Sequence, residues 1–328
     1  MMAIKQVLLL ALVMLAPWMA VTAGDAEPPT IAGCPLFPPD NIWNAPVDTL
    51  PLDPNSDDYI GVIGPDVGLH PDFGSGLWEG GRIGIPYTIV SGDQTPADIS
   101  FYYPDESDPG PYRIPPDVLI EGGPDSDGDR HILLVDKDKC ILSEIYDAYP
   151  QEDGGWEAGS GAVWDLFRND LRPDEWTSAD AAGLPILPGL VRYEEVEAGA
   201  INHALRFTAS NIRSDYIWPA RHRADCGDHS EDDESVPPYG QRFRLKASFD
   251  VSGYSPEVQV ILNALKTYGM MLADCGSDWF ITGVPDERWD NDVLVDELRT
   301  VTGEHFEAVD VSSLIVNPDS GEAKQSAE

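Results

Sequence analysis

The chain has 328 residues, and its 58 Asp and Glu outnumber its 20 Lys and Arg, for a formal net charge of −38. A surface of that sign repels nucleic acid and anionic lipid, which excludes both as partners. It leaves room for an enzyme of neutral or cationic substrates or for a surface that gathers Ca²⁺, and its plainest reading is adaptation to a salty exterior that screens self-repulsion.

The chain opens "MMAIKQVLLLALVMLAPWMAVTAGDAEPP". Lys5, an apolar run from Val7 to Ala16 and the small-residue pattern Val21-Thr22-Ala23 predict a secretory leader over residues 1–23. The run is shorter than the roughly 20 residues of a spanning helix. The expected product is therefore exported, extracellular or periplasmic, with no membrane partner. Export places Cys34, Cys140, Cys226 and Cys275 in oxidising surroundings, where four cysteines predict two disulfides. The pairing that closes the shorter loops is Cys34–Cys140 with Cys226–Cys275.

The next segment, "EPPTIAGCPLFPPDNIWNAPVDTLPLDPNSDDYIG", is too rich in Pro and Asn for regular structure and is expected to lie across the surface, pinned by Trp43 and Cys34. Short strand-like runs follow: "IPYTIV", "ISFYY", "RHILLVD", "CILSEIYDAY", "GAVWDL", "HALRFTA", "DYIWPA", "QRFRLKASFD" and "WFITG". They are rich in Ile, Val, Tyr, Phe and Trp and bounded by turn residues. "LVDKDKCIL" has the form of a hairpin. "TSADAAGLPILPGL" is expected to open a helical turn before Pro185.

The stretch "YSPEVQVILNALKTYGMML" predicts one long helix, with Ser255 as N-cap, Pro256 in the first turn and Val258, Ile261, Leu262 and Leu265 at helical spacing. A shorter helix is expected over "DNDVLVDELRTV". The polar tail, residues 313–328, is expected to be disordered. The chain thus reads as a single mainly-β domain over 24–312, a β-sandwich or jelly roll with extended loops and one long helix.

Three groups of residues can carry chemistry. Asp125, Asp127 and Asp129 alternate in a Gly-containing loop, a spacing that can wrap calcium, although the closing Glu of an EF-hand is missing. His131, His203 and His222 sit at strand ends with Arg206 and Arg221 close in sequence. If their strands are neighbours, they could hold a metal or supply a base and an anion clamp. Asp147, Asp165 and Asp180 lie in apolar or aromatic context, where burial raises a carboxyl pKa, and Tyr146 adjoins the first of them. Trp78, Trp156, Trp164, Trp176 and Trp218 can stack on sugar rings, although packing explains any single one. No phosphate-loop, dinucleotide, HExxH or GxSxG pattern occurs.

The run "WTSADAAGLPILPGLVRYEEV", with "FPPDNIWN", "LHPDFG", "HALRF", "YIWPARH", "RLKASFD" and "LKTYGMMLAD", resembles a family of exported microbial proteins. The resemblance covers nearly the whole mature chain and implies an exported single-domain architecture, with no reaction and no catalytic residue attached. On its residues, the sequence reads first as an exported polysaccharide-active enzyme with an extracellular glycan as partner. For a lyase, His131 or His203 would be the base, Tyr146 the acid and Arg206 or Arg221 the clamp. For a hydrolase, Asp147, Asp165 and Asp180 would supply the pair. The rival is a non-catalytic glycan- or calcium-binding protein of the cell exterior.

Overall fold

Alternation along Leu205–Ala209 sends Leu205, Phe207 and Ala209 to one face, where all three are fully buried, and Arg206 and Thr208 to the other. This strand lies inside a six-stranded sheet, seen in a computed structural model that describes residues 27–227 and 229–325. The expected leader lies outside the described residues.

Leu205–Ala209 runs parallel to Met270–Cys275 and antiparallel to Phe280–Thr282. Beyond them, Arg242–Leu245 and Phe306–Val309 complete one side and His70–Asp72 the other. A second sheet of four strands orders Ser160–Asp165, Ile141–Tyr146, Ile132–Asp136 and Tyr87–Val90. Its alternation splits two ways. Leu133, Val135, Leu142, Ala162 and Trp164 join the large core shared with the six-stranded sheet. Val90, Ile132, Leu134 and Ile145 face a smaller cluster around Tyr112 and Ile114.

The mainly-β expectation holds, with 27% strand against 15% helix. The path differs from a jelly roll, because both sheets are mixed. Leu205–Ala209 with Met270–Cys275, and Tyr87–Val90 with Ile132–Asp136, are parallel pairs that need crossovers and not hairpins. The expected "LVDKDKCIL" hairpin is present, joining Ile132–Asp136 to Ile141–Tyr146.

The long helix is a correction. It covers only Pro256–Thr267, with Val258, Ile261, Leu262 and Leu265 buried as the spacing requires. At Gly269 the backbone turns through φ +67, and a β-carbon there would sit 2.1 Å from the Phe243 carbonyl oxygen. Only glycine meets both demands. The following "MMLADC" is a central strand, a short apolar run that periodicity alone cannot assign. The shorter helix expected near the C-terminus is Asn291–Leu298, and the Asp290 side chain caps it by accepting from the Val293 N–H.

The segment 36–50 is more than a surface strap, because its apolar side chains enter the core. Leu36, Phe37, Ile42, Trp43 and Val47 are buried. Two buried arginines hold this irregular backbone. Arg242 donates to the Ile42 and Tyr268 carbonyls at 2.7 and 2.6 Å, and Arg244 to those of Val47 and Leu50 at 2.6 and 2.9 Å. Helix Ser56–Ile63 follows, where no regular structure was expected. The expected disordered tail is bonded in as far as it is described: Trp218 donates to the Ser320 carbonyl, and Ala323 is buried. Among the described residues, no helix is long and apolar enough to cross a membrane.

Both disulfides have the expected pairing, Cys34–Cys140 and Cys226–Cys275. The first spans a sequence separation of 106 and ties the 27–50 segment to the four-stranded sheet. Replacing Cys34 and Cys140 by Ser is predicted to lower unfolding free energy by about 5 kcal/mol on the loop-entropy account. Urea titration of the oxidised proteins measures it, and a loss below about 1 kcal/mol contradicts that account.

Candidate functional site

The site begins with a charge in the wrong place for an ordinary core. Arg206 is 4% exposed and points from its strand into the space between the two sheets. A buried guanidinium must find acceptors, and it finds three. Its Nε and Nη2 donate to the two oxygens of Asp180, each at 2.8 Å. Nη2 also donates to Asp274 at 3.0 Å, and Nη1 to the Thr282 hydroxyl at 2.8 Å. Asp274 comes from the neighbouring strand Met270–Cys275 and Thr282 from the strand on the other side.

Asp180 arrives on an irregular segment threaded between the sheets. Ser178 fixes it locally, accepting from the Asp180 N–H at 2.9 Å and donating to the Leu184 carbonyl at 2.5 Å. The helical turn expected before Pro185 is absent; a single 3₁₀ turn, Leu187–Gly189, follows that residue instead. Further along, Glu144 anchors the segment from the four-stranded sheet. Its fully buried carboxyl accepts from the Ile186 and Leu187 N–H groups, both at 2.9 Å. Burial pushes the Glu144 pKa up to about 7, against those two donors.

Two carboxyls on one guanidinium cannot both ionise cheaply. Asp180 is 1% exposed, whereas the Asp274 side chain keeps 20% of its surface open. Burial, then the neighbouring Asp180, holds the Asp274 carboxyl well above the usual range. Asp180 is gripped in bidentate fashion by Arg206. The carboxyl raised in this way is the one on the side that faces out.

That side opens into a cavity of about 420 Å³. Tyr146, His222, Glu106, Asp129 and Tyr103 line it together with Asp180 and Asp274. His222 donates from Nδ1 to the Ala181 carbonyl at 2.8 Å, leaving Nε2 toward Glu106 at 3.7 Å. Behind the wall, His131 is 2% exposed. One ring nitrogen meets Glu121 at 2.5 Å and the other the Ala179 carbonyl at 2.9 Å. Both partners are acceptors, so both nitrogens carry protons. Burial alone would lower the His131 pKa; the Glu121 carboxylate outweighs it and pushes it up to about 9.

Of the residues singled out from sequence, Asp129, Tyr146, Asp180 and His222 line the cavity, with Arg206 bonded to Asp180 and His131 to the Ala179 carbonyl behind its wall. The others lie elsewhere. His203 precedes its strand and is spent on the Ala204 carbonyl and Glu195. Arg221 clamps the tail through the Pro318 carbonyl and Asp319, both at 3.0 Å. Asp165 ends the strand whose first residue, Ser160, lines the cavity, and it accepts from the Phe167 N–H. Asp147 turns the chain at φ +55 and does not line the cavity. Asp125 and Asp127 are exposed, and the turn they belong to already holds a cation: Arg130 donates to the Pro124 and Ser126 carbonyls, both at 2.9 Å. Among the described residues, no group of three or more His, Cys, Asp or Glu is arranged to hold a metal ion.

Asp274, Glu144, Glu121 and Glu106 were not singled out from sequence. Asp274 and Glu144 stand inside the apolar runs "MMLADC" and "ILSEIY", the context used to select the other acids. No family model, curated protein or solved structure matches the chain.

The His131 imidazolium yields a test. Its folded pKa lies above the ordinary 6.5, so it stabilises the fold fully below pH 6.5, and that contribution is lost as pH rises through about 9. The shift corresponds to about 3 kcal/mol. NMR titration is predicted to show the His131 ring staying protonated up to pH about 9 in the native protein and titrating lower in Glu121→Gln. A native midpoint below about 7 contradicts the assignment.

Proposed function

We propose that the chain is an exported glycoside hydrolase acting on a neutral or amino-bearing glycan. Its two sheets would form a sandwich-like frame for the Asp180–Asp274 pocket. The observation that carries the reading is the pair itself: two carboxyls on one buried arginine, with the one whose pKa is raised at the mouth of a cavity. A glycosidic oxygen leaves only if it is protonated, and a carboxyl kept neutral near operating pH is suited to donate. Asp274 is the donor. Burial and the neighbouring Asp180 raise its proton affinity. Asp129 and Glu106 line the same cavity and are the candidates for the second carboxylate, which stabilises the oxocarbenium-like transition state or activates water.

The hydrolase reading is favoured over the lyase by what is already occupied. His131 has no lone pair left to act as base, and Arg206 gives its donors to Asp180, Asp274 and Thr282. The cavity's Asp129 and Glu106 would also repel the uronic acids on which a lyase acts. Tyr102 and Tyr103, 79% and 46% exposed beside the cavity, offer apolar faces to a sugar.

A screen of the secreted protein against neutral and amino-bearing polysaccharides, read by release of reducing ends, tests the proposal. Asp274→Asn is expected to lower turnover of whichever glycan is cut by about 10²–10⁴, with little change in KM. No product from any glycan, or full activity in Asp274→Asn, overturns it.

A further inference from the structure

A second cavity, about 570 Å³, lies on the other side of the Glu121–His131 pair. Glu121 lines it, while the His131 ring reaches the Ala179 carbonyl on the wall of the first cavity. Its lining is unlike that of the Asp180–Asp274 pocket. Trp78, Phe73 and Phe280 form an aromatic wall, with His70, Asp72 and Arg82 around it. Trp78 is 73% exposed, a large apolar face left in water.

This exposure is held in place by tight backbone contact. Trp78 sits on the two-stranded ribbon Leu77–Trp78 with Gly81–Arg82. A β-carbon at Gly81 would lie 2.2 Å from the Gly122 carbonyl oxygen, so the ribbon is pressed onto the residue after Glu121. The His70 ring stacks on Phe280 with centroids 4.1 Å apart. Among the described residues, the His70, Asp72 and Arg82 side chains make no hydrogen bond or ion pair, so their polar atoms are free for a ligand. Burial holds the His70 imidazole below its usual range, leaving it neutral at pH 7 with one donor and one acceptor. The charges nearly cancel: Glu121 is offset by His131, and Asp72 shares the cavity with Arg82. A flat apolar platform, free hydrogen-bonding groups and no net charge suit a neutral sugar ring and disfavour an ionic ligand.

We propose that this cavity is a glycan-binding subsite, distinct from the Asp180–Asp274 pocket, in which a neutral pyranose lies on the Trp78 indole and bonds His70 and Asp72 through its hydroxyls. It shares with the proposed function only the premise that the ligand is a glycan, and binding here requires no turnover.

Isothermal titration with neutral hexasaccharides (cellohexaose, xylohexaose, mannohexaose and laminarihexaose) tests it. At least one is expected to bind. Trp78→Ala should weaken that binding at least about tenfold, or ~1.4 kcal/mol, while Trp78→Phe keeps most of it and the thermal midpoint stays unchanged. Asp274→Asn should bind as the native protein does. If no hexasaccharide binds, or if Trp78→Ala binds like the native protein, the subsite is refuted. If binding follows Trp78 yet no glycan is cut, the subsite stands and the hydrolase reading falls alone.

Discussion

The interaction on which the rest depends is the Arg206 guanidinium buried between two sheets. Removing a full charge from water costs several kcal/mol unless its partners are complete. Completing them recruits Asp180 from the threaded segment, Asp274 from one adjacent strand and Thr282 from the other. Three pieces of chain are fastened at one point, and none of them is free to move alone. Such a cluster stabilises less than well-packed apolar side chains would. What it adds is a carboxyl pair with unequal proton affinity, placed where a cavity begins.

The surroundings keep that inequality in place. Glu144 holds the Ile186 and Leu187 amides, and Ser178 holds the turn around Asp180. His131 grips the Ala179 carbonyl while bonding Glu121 on the far side. Cys275, bonded to Cys226, directly follows Asp274 and ties the strand end to the chain a few residues beyond His222. Polar groups in the interior thus serve position more than cohesion, and cohesion comes from the apolar faces. Phe207, Phe243 and Trp279 pack ring against ring on the side of the six-stranded sheet away from Arg206.

Much of this was legible in the sequence. Alternating or β-branched runs such as "RHILLVD" and "HALRFTA" place their strands correctly, because packing on a pleated sheet demands that pattern. Both disulfides follow from loop length. The strand Met270–Cys275 was not legible, since an apolar run of six carries no period that separates helix from strand and the helix before it supplied a false continuation. The site was half legible. Tyr146, Asp180, Arg206 and His222 stand out by type and context. Their convergence with Asp274 depends on a parallel pairing between strands far apart in sequence, which no local pattern encodes. His203 and Arg221 stood out by the same signal yet serve structure, because a buried cation attracts whatever carboxylate or carbonyl lies nearest. The acids of the surface, by their number, conceal the few that matter.

The central claim is that the Asp274 carboxyl holds its proton above the usual carboxylate range. Infrared difference spectra between the native protein and Asp274→Asn, recorded across pH, measure this directly. The protonated-carboxyl carbonyl band should persist in the difference above the pH at which an ordinary Asp has ionised. Disappearance of that band by pH about 4, the behaviour of a carboxyl with no such neighbour, would contradict the account.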